Sequence, residues 1–572
     1  MAPNALRLGR IRLIGGFMCA CALVLVGRLY YLQAVRSDDY RSQADRQYVK
    51  KGAAAFDRGS ILFSPRKGGT LSAAGLASGY TVTIEPKKME HPEDVYNALS
   101  GILSVDAEEL LSKIESDKTY GEAAKRVDEA TKERIESLDL TGVSAYKEQW
   151  RIYPGGKSAA NVLGIIGFGE DGKTVSGRYG LERYYNDILS RQTPGLYVNF
   201  FAQVFSDISG ALFKGEESEG DIVTTIEPSV QAELERKISG VSDKWSSDLT
   251  GGIVMDPYTG EIYAMAVAPT FDPNDFSKEK ATSIFGNPHV DRVYEMGSII
   301  KPLAMAAGLD AGVITPESTY NDQGYVLVNG AKVSNFDGKG RGVIDMQHVL
   351  NESLNTGMAF VAQKLGNERL TRYFMSYGFG EETGIDLPGE VHGLVNNLKS
   401  PRDIEHVTAS FGQGIAMTPI ETVRALSALG NGGFLPNPHL VRRIEYTSGD
   451  SKDLTYDETE QVLEPETSET ITKMLVNVVD KALLGGTVKI PRYSIAAKTG
   501  TAQIAKAEGG GYYDDRYLHS FFGYFPAYKP RFIVFLFTVY PKGAQYASHT
   551  LTMPFIDLTK FLINYYEIAP DR

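Results

Sequence analysis

Two residues near the middle of the chain have types and spacing that suit nucleophilic catalysis. Ser298 follows a glycine, and Lys301 comes three residues later, where an apolar run predicts a helix. Residues three apart lie on one face of a helix, one above the other. A serine hydroxyl needs a base to remove its proton, and lysine is that base when burial and nearby cations lower its pKa from about 10.4 towards neutrality. Free N–H groups at a helix start also bind a developing negative oxygen.

The Ser-x-x-Lys spacing alone is a weak signal, because the chain contains two other examples. Ser64 is followed directly by a proline and belongs to a predicted turn. The stretch 277–280 (Ser-Lys-Glu-Lys) is highly charged, and we expect it to face solvent. The assignment of Ser298 therefore depends on further motifs.

Two further motifs follow Ser298 in the chain. Ser353 and Asn355 form a Ser-x-Asn between two predicted helical stretches, and Lys498-Thr499-Gly500-Thr501 opens a predicted strand. This trio, with Ser-Asp-Asn as its second motif, is the signature of serine β-lactamases and penicillin-binding proteins. Each motif has the local context that the chemistry needs, which makes the joint signal specific.

The composition limits the kind of protein that carries these motifs. The chain has 572 residues, 42% of them hydrophobic and 23% charged, which is typical of globular domains. The net charge of −12 argues against nucleic-acid binding. Cys19 and Cys21 are the only cysteines, which excludes a disulfide scaffold and a thiolate metal site in the main body. No metal-site spacing, phosphate loop or nucleotide fingerprint is found, so we expect no metal and no cofactor.

Residues 13–35 predict a transmembrane anchor. Their only charge is Arg28, which lies near enough to the far end to reach the headgroups. Arginines in the segment 1–12 favour a cytoplasmic N-terminus and an extracytoplasmic location for everything after the span. A cleaved signal peptide is the alternative, but no small-x-small cleavage site follows the apolar run.

The rest of the chain divides into two regions. Residues 36–240 predict an α+β region with short elements, and residues 241–572 predict one antiparallel sheet whose strands flank a mainly helical stretch at 296–485. The predicted strands cover 80–84, 251–255, 261–267, 496–504, 520–525 and 532–540. The predicted helices cover 92–103, 107–114, 124–138, 298–308, 346–365, 370–377, 419–429, 468–484 and 555–566.

The motifs and their order resemble the class B penicillin-binding proteins, the monofunctional transpeptidases of peptidoglycan synthesis. The likeness covers nearly the whole chain, and no glycosyltransferase domain fits it. Its supporting elements are 58–61, 153–154 and 180–182 in the first region and 256–260 and 411–414 in the second. The resemblance implies an α+β fold with a transmembrane helix, an elongated pedestal, and a transpeptidase domain with a five-stranded antiparallel sheet flanked by helices.

The resemblance also implies a role for each motif residue. Ser298 would attack a D-Ala-D-Ala stem peptide and form an acyl-enzyme, while Lys301 accepts its proton. Ser353 would relay a proton to the departing D-alanine, and Asn355 would bind the substrate amide and help to fix Lys301. Lys498 would supply positive charge for the terminal carboxylate.

The strand after Lys498 would complete the substrate site. The hydroxyls of Thr499 and Thr501, on either side of Gly500, would be donors to the substrate. The N–H groups of Ser298 and Thr501 would form an oxyanion hole, a device worth about 10²–10³ in rate per donor.

The expected function is thus D,D-transpeptidation by a single-pass protein of the bacterial cytoplasmic membrane, inhibited by β-lactams. The resemblance implies a polytopic membrane glycosyltransferase of the SEDS type as partner, in either cell elongation or division. A D,D-carboxypeptidase or β-lactam-hydrolysing enzyme is one alternative, although no Glu-x-x-Leu-Asn lies between Ser353 and Lys498. A non-catalytic β-lactam sensor or division scaffold is another, although the catalytic motifs are intact.

Overall fold

The computed structural model describes residues 57–168, 175–191, 219–456, 459–506, 508 and 510–572. The anchor predicted at 13–35 and both cysteines lie outside these residues. Within the described ranges, no helix combines the length and the apolar character needed to cross a bilayer. The described residues form two compact units: a smaller one includes residues 77–150, and a larger one includes residues 58–76, 151–168, 175–191 and the described residues from 219 onwards.

A five-stranded antiparallel sheet lies at the centre of the larger unit, as the sequence predicts. In spatial order its strands are Ala496–Ala505, Tyr512–Phe525, Phe532–Val539, Leu249–Met255 and Ile262–Ala268. The last two form the predicted hairpin, in which the Asp256 carboxylate accepts hydrogen bonds from the N–H groups of Tyr258 and Thr259. The strand with Lys498-Thr499-Gly500-Thr501 is at the edge of the sheet.

The sheet separates two hydrophobic cores, because successive side chains of a strand face opposite sides. Val254 belongs to the core that contains the helices Pro228–Trp245 and Thr552–Tyr565. The neighbouring residue Ile253 belongs to the other core, which contains the helix Lys301–Asp310. That helix is buried along most of its length, so its position relative to the sheet is firmly set.

The helical part of the larger unit follows the predicted pattern, with one break. Its other helices are Met346–Glu352, Asn355–Leu365, Asn367–Ser376, Asp403–Ala409, Pro419–Ser427 and Pro465–Asn477. The single helix predicted over 346–365 is wrong, because Ser353 has a φ of 57° and ends the first of two helices. Left-handed backbone of this kind cannot continue a right-handed helix.

The prediction of a mainly helical 296–485 also misses eight strands, four of which lie between residues 434 and 461. The other four are Thr319–Asp322, Tyr325–Val328, Ala331–Ser334 and Gly342–Asp345, and they form two antiparallel pairs. Asn329 and Gly330, both with positive φ, form the tight turn of the inner pair. Strands of four residues are too short for alternation of apolar and polar residues to reveal them.

The larger unit also contains shorter elements among the described residues. The strands are Ile61–Phe63, Ile166–Phe168, Val175–Gly177, Gly220–Thr224, Phe434–Leu435, Val441–Tyr446, Ser451–Asp453 and Glu460–Gln461. The helices and helical turns are Ala160–Leu163, Gly180–Tyr184, Asn186–Leu189, Phe276–Lys278, Thr282–Phe285, Gly297–Ile299, Asn396–Lys399, Val478–Ala482, Leu483–Gly486 and Ala547–Thr550.

A buried ion-pair network joins distant segments of the larger unit. The Glu182 carboxylate accepts hydrogen bonds of 2.6 Å from Nε of Arg58 and from Nε of Arg151. The Tyr153 hydroxyl donates to the same carboxylate at 3.2 Å. Glu182 is fully buried, and the two arginines are nearly so. Its charge is therefore compensated entirely by these side chains.

The smaller unit is an α+β layer with its own core. Its strands are Gly121–Val127 and parts of Leu71–Ile84 and Val143–Ile152, and its helices are Pro92–Ser100, Ala107–Ile114 and Glu129–Glu136, with a turn at Pro86–Lys88. Asp106 caps the second helix by accepting a hydrogen bond from the N–H of Glu109, as predicted. The helix predicted over 124–138 is wrong in its first part, because a strand runs to Val127 and the helix begins at Glu129.

Replacing Glu182 by alanine is expected to lower the free energy of unfolding by about 3–5 kcal/mol, because two buried guanidinium groups lose their counter-charge. Thermal and urea unfolding of the full chain measure the loss. Glu368→Ala is the control: Glu368 pairs with Arg372 at the surface, and both side chains are at least 70% exposed. We expect no measurable change there. Equal melting temperatures for Glu182→Ala and the wild type would contradict the expectation.

Candidate active site

Ser298 lies in a short turn that leads into the central helix. The turn Gly297–Ile299 is a 3₁₀ helix, and the α-helix begins at Lys301, so the predicted helix start at residue 298 lies inside this turn. Ile299 is fully buried, whereas Ser298 is half-buried. Within the described residues, the Ser298 hydroxyl has no hydrogen-bond partner. The turn thus fixes the serine backbone and leaves its hydroxyl free.

Lys301 is fully buried, and its side chain points to Ser353. Its Nζ donates a hydrogen bond to the Ser353 carbonyl oxygen at 2.5 Å and another to the Ser353 Oγ at 3.2 Å. Burial lowers the pKa of Lys301 well below its ordinary value, and the positive charge of Lys498 lowers it further. The environment therefore favours a neutral amine, which is the form that accepts a proton.

Ser353 occupies the gap between two helices. It follows the helix Met346–Glu352 in the left-handed conformation, and the next helix starts at Asn355. Its carbonyl oxygen and its hydroxyl both face Lys301. The break in the helix thus presents two oxygens of one residue to the same amine.

Lys498 approaches Ser353 from the edge strand of the sheet. Its Nζ donates to the Ser353 Oγ at 2.9 Å and to the Thr499 carbonyl oxygen at 3.1 Å. The residue is 3% exposed, and burial lowers its pKa to about 7. One hydroxyl oxygen therefore accepts hydrogen bonds from two lysines, which uses both lone pairs and leaves the hydroxyl proton available to a third group.

Asn355 is placed beside this cluster by its helix, but its amide is directed elsewhere. The Nδ2 atom donates to the Ser334 carbonyl oxygen at 3.0 Å, in one of the strands that the sequence analysis missed. The hydrogen bonds of Lys301 go to Ser353 and not to Asn355. The structure thus brings together Lys301, Ser353 and Lys498 and places Asn355 next to them.

Gly500 allows the edge strand to approach the turn that carries Ser298. A Cβ atom at Gly500 would lie 2.7 Å from the Met296 carbonyl oxygen, and one at Gly297 would lie 2.9 Å from the Thr501 carbonyl oxygen. Both distances are shorter than side chains tolerate, so only glycine fits at either position. The hydroxyl of Thr501 accepts a hydrogen bond from the N–H of Ala547 at 3.1 Å. Thr499 is half-buried on the same strand.

Two further residues position the turn, and sequence reasoning gave neither of them this role. The N–H of Gly297 donates to the Gly412 carbonyl oxygen at 3.1 Å, and a Cβ at Gly412 would lie 2.2 Å from the Gly297 carbonyl oxygen. On the opposite side, the Ser520 Oγ donates to the Met296 carbonyl oxygen at 2.8 Å. The Phe-Gly-Gln-Gly sequence at 411–414 signals the first contact, whereas nothing in the sequence signals Ser520.

Comparison with known proteins assigns both regions of the chain to one family. Residues 250–557 match the family model of the penicillin-binding protein transpeptidase domain. Residues 57–196 match the model of the penicillin-binding protein dimerisation domain. The motif residues from Ser298 to Thr501 all fall within the first match.

Similar proteins span most of the chain. Stage V sporulation protein D of Bacillus subtilis is 30% identical over 548 residues, covering 93% of this chain and 82% of the relative. Peptidoglycan D,D-transpeptidase FtsI of Buchnera aphidicola is 26% identical over 575 residues, covering 97% of this chain and 96% of the relative.

Solved structures have the same fold. Penicillin-binding protein 3 of Mycobacterium tuberculosis, in its complex with aztreonam, superposes with a TM-score of 0.68 at 23% identity and covers 91% of this chain and 98% of its own. This likeness bears on the fold alone. Taken together with the two family matches and the sequence relatives, it places the chain among the class B penicillin-binding proteins.

Proposed function

We propose that this protein is a peptidoglycan D,D-transpeptidase that cross-links stem peptides through an acyl-enzyme on Ser298 and binds penicillin. One observation supports it above all: the Ser353 hydroxyl lies between two buried lysines, 3.2 Å from Lys301 Nζ and 2.9 Å from Lys498 Nζ. Family membership and a relative named as a peptidoglycan D,D-transpeptidase support the same reaction.

Acylation begins with proton transfer from the Ser298 hydroxyl to the neutral amine of Lys301. The Ser298 oxygen then attacks the carbonyl carbon of the penultimate D-alanine, and the negative charge develops on the carbonyl oxygen. The N–H groups of Ser298 and Thr501 stabilise that oxygen. Preorganised donors of this kind act on the transition state without rearrangement, which suits a turn held as firmly as Gly297–Ile299.

Release of D-alanine requires a proton on the departing amine. The proton taken up by Lys301 reaches that amine through the Ser353 hydroxyl, which contacts both lysines. The bond between the carbonyl carbon and the nitrogen breaks, and an ester to Ser298 remains. The amine of a second stem peptide attacks this ester, which forms the cross-link and returns the proton to Ser298.

The edge strand recognises the substrate. Lys498 supplies positive charge for the terminal carboxylate, and the hydroxyls of Thr499 and Thr501 donate hydrogen bonds to the bound peptide. Asn355 binds the substrate amide. A β-lactam resembles the D-Ala-D-Ala end, so it acylates Ser298 but leaves no product that can depart.

We also propose the wider organisation that the resemblance implies. Residues 1–12 are a cytoplasmic tail, 13–35 a membrane anchor, 36–240 a pedestal and 241–572 the transpeptidase domain on the outer side of the cytoplasmic membrane. The partner is a polytopic SEDS-type glycosyltransferase. The apolar character of 13–35 supports the anchor, and the two separate family matches support a two-domain extracytoplasmic part.

Ser298→Ala is expected to abolish covalent labelling by a fluorescent penicillin, because the acylated oxygen is absent. Lys301→Ala is expected to lower labelling at least a thousandfold while the melting temperature stays close to that of the wild type. Gel fluorescence measures the labelling.

Product analysis with donor and acceptor stem peptides should show cross-linked dimers, whereas D-alanine released without dimers would identify a carboxypeptidase. Wild-type protein that takes no label would identify a scaffold.

The rate of acylation by penicillin is expected to depend on pH with two limbs. The rate falls on the acid side, because protonated Lys301 cannot accept the serine proton. It falls again above about pH 7, since Lys498, with a pKa of about 7 in the empty site, loses the charge that attracts the carboxylate. Lys498→Arg keeps that charge at high pH and should remove the alkaline limb only. An unchanged alkaline limb in this variant would exclude Lys498 as its source.

The anchor is expected to remain in the mature protein. N-terminal sequencing of protein from membranes should begin before residue 13, and deletion of residues 1–35 should yield soluble protein that still takes up penicillin. A mature N-terminus beyond residue 35 would identify the segment as a cleaved signal peptide.

A further inference from the structure

Glu295 makes a contact that the proposed mechanism does not use. It lies three residues before Ser298, and both of its carboxylate oxygens are 3.0 Å from the hydroxyl of Tyr512. Both side chains are half-buried. Burial raises the pKa of Glu295, and the hydrogen bond from the Tyr512 hydroxyl opposes that effect. Within the described residues, the Tyr512 hydroxyl is the donor that directly contacts this carboxylate.

Two segments are attached to the backbone around Glu295, and the first is the loop 412–417. The backbones of Tyr294 and Met417 exchange hydrogen bonds of 2.9 and 3.0 Å, and the N–H of Gly297 donates to the Gly412 carbonyl oxygen. Along the chain, Glu295 lies between these two backbone links. The loop is thus attached to the turn of Ser298 on both sides of Glu295.

The second segment is the hairpin that carries the Lys-Thr-Gly motif. Tyr512 is the first residue of the strand Tyr512–Phe525 and pairs with Ala505, the last residue of the edge strand. Farther along the hairpin, Ser520 pairs with Gly500 and hydrogen-bonds the Met296 carbonyl oxygen. The hairpin is therefore tied to the turn of Ser298 at two separated points. Two contacts fix the orientation of the strand relative to the turn, whereas a single contact would let the strand rotate about it.

We propose that Glu295 is a positioning residue for acylation: through Tyr512 it holds the end of the hairpin against the segment that leads into the turn of Ser298. The edge strand of this hairpin carries Lys498 and Thr501, so its orientation decides where these residues lie relative to Ser298. The Tyr512–Glu295 contact adds a second link to the one that Ser520 makes with the Met296 carbonyl oxygen. The inference rests on the proposed function, since acylation of Ser298 is the step that it assists.

Loss of the link is expected to affect the chemical step more than the initial binding. Lys498 and its neighbours remain on the strand and still attract the substrate carboxylate. The angle between the edge strand and the Ser298 turn becomes variable, so Ser298 and the oxyanion donors are aligned for a smaller fraction of the time. A hydrogen bond to a charged group contributes enough free energy that its loss is expected to lower the acylation rate about tenfold.

The test compares acylation of the full-length protein by a fluorescent penicillin in stopped-flow experiments, which separate the dissociation constant of the initial complex from the acylation rate constant. Tyr512→Phe removes only the hydroxyl. Tyr513→Phe is the matched control, because Tyr513 is the next residue of the strand and its hydroxyl makes no hydrogen bond among the described residues. Glu295→Gln keeps an acceptor but loses the charge and one of the two acceptor oxygens.

We expect Tyr512→Phe to lower the acylation rate constant about tenfold and to change the dissociation constant less than twofold, with Tyr513→Phe like the wild type. Glu295→Gln should lower the acylation rate constant by a similar or smaller factor. The double variant should acylate no more slowly than the slower of the two single variants, because both remove the same link. The proposal would be overturned if Tyr512→Phe acylates at the wild-type rate, or if Tyr513→Phe loses as much of the acylation rate constant as Tyr512→Phe does. It would also be overturned if the losses of the two single variants multiply in the double variant.

The controls distinguish this outcome from a failure of the proposed function. If the wild type takes up no penicillin, the function itself is wrong. If the wild type is labelled and both single variants react at its rate, only the role of Glu295 is wrong. If Tyr512→Phe unfolds, Glu295→Gln decides the question, since it weakens the same link by removing the charge while its equal size preserves the packing; acylation at the wild-type rate in that variant would overturn the proposal.

Discussion

The active site depends on the burial of two lysine side chains against one serine hydroxyl. Lys301 is fully buried and Lys498 is 3% exposed, and neither forms an ion pair with a carboxylate of the described residues. Removing an ammonium group from water without a counter-charge is so unfavourable that the group tends to lose its proton instead. The surrounding core therefore does more than support the site. By burying Lys301 completely, the core lowers the pKa of this lysine and favours the neutral form of the base.

The active-site residues meet because three backbone segments approach one another more closely than side chains allow. Gly297, Gly412 and Gly500 occupy the contact points, and a Cβ at any of them would overlap a neighbouring backbone atom. Contacts between backbones have little freedom to adjust, because a peptide group cannot change its rotamer as a side chain does. The turn of Ser298 is consequently held from both sides, by the edge strand and by the loop 412–417.

Much of this architecture follows from local sequence patterns, and the remainder depends on tertiary contacts. The hairpin around Asp256 and the cap at Asp106 were predictable, because turn and cap residues act within a few positions of the chain. The family resemblance implied that Lys301, Ser353 and Lys498 share one site, and their side chains lie in contact in the structure. The sequence placed the Ser353 motif between helical stretches, but the left-handed backbone that ends the first helix was not predictable, since the packing around Ser353 imposes it.

The contacts that hold the site together carry even less signal in the sequence. Glu295 and Tyr512 are 217 positions apart, and nothing in the sequence around either residue indicates that the two form a hydrogen bond. The same holds for Ser520 and the carbonyl oxygen of Met296. Pairs of this kind become visible only once the hairpin and the turn are placed side by side, because it is the sheet register that selects which side chains face each other.

The left-handed backbone of Ser353 has a consequence for how this sequence can evolve. A non-glycine residue in that conformation costs roughly 1–2 kcal/mol relative to its preferred conformations, and glycine would avoid the cost. Selection for thermostability alone would favour glycine here, yet that change deletes the hydroxyl between the two lysines. Folding stability and catalytic activity therefore place opposite demands on residue 353. Substitutions that stabilise the protein without loss of activity must occur at other positions.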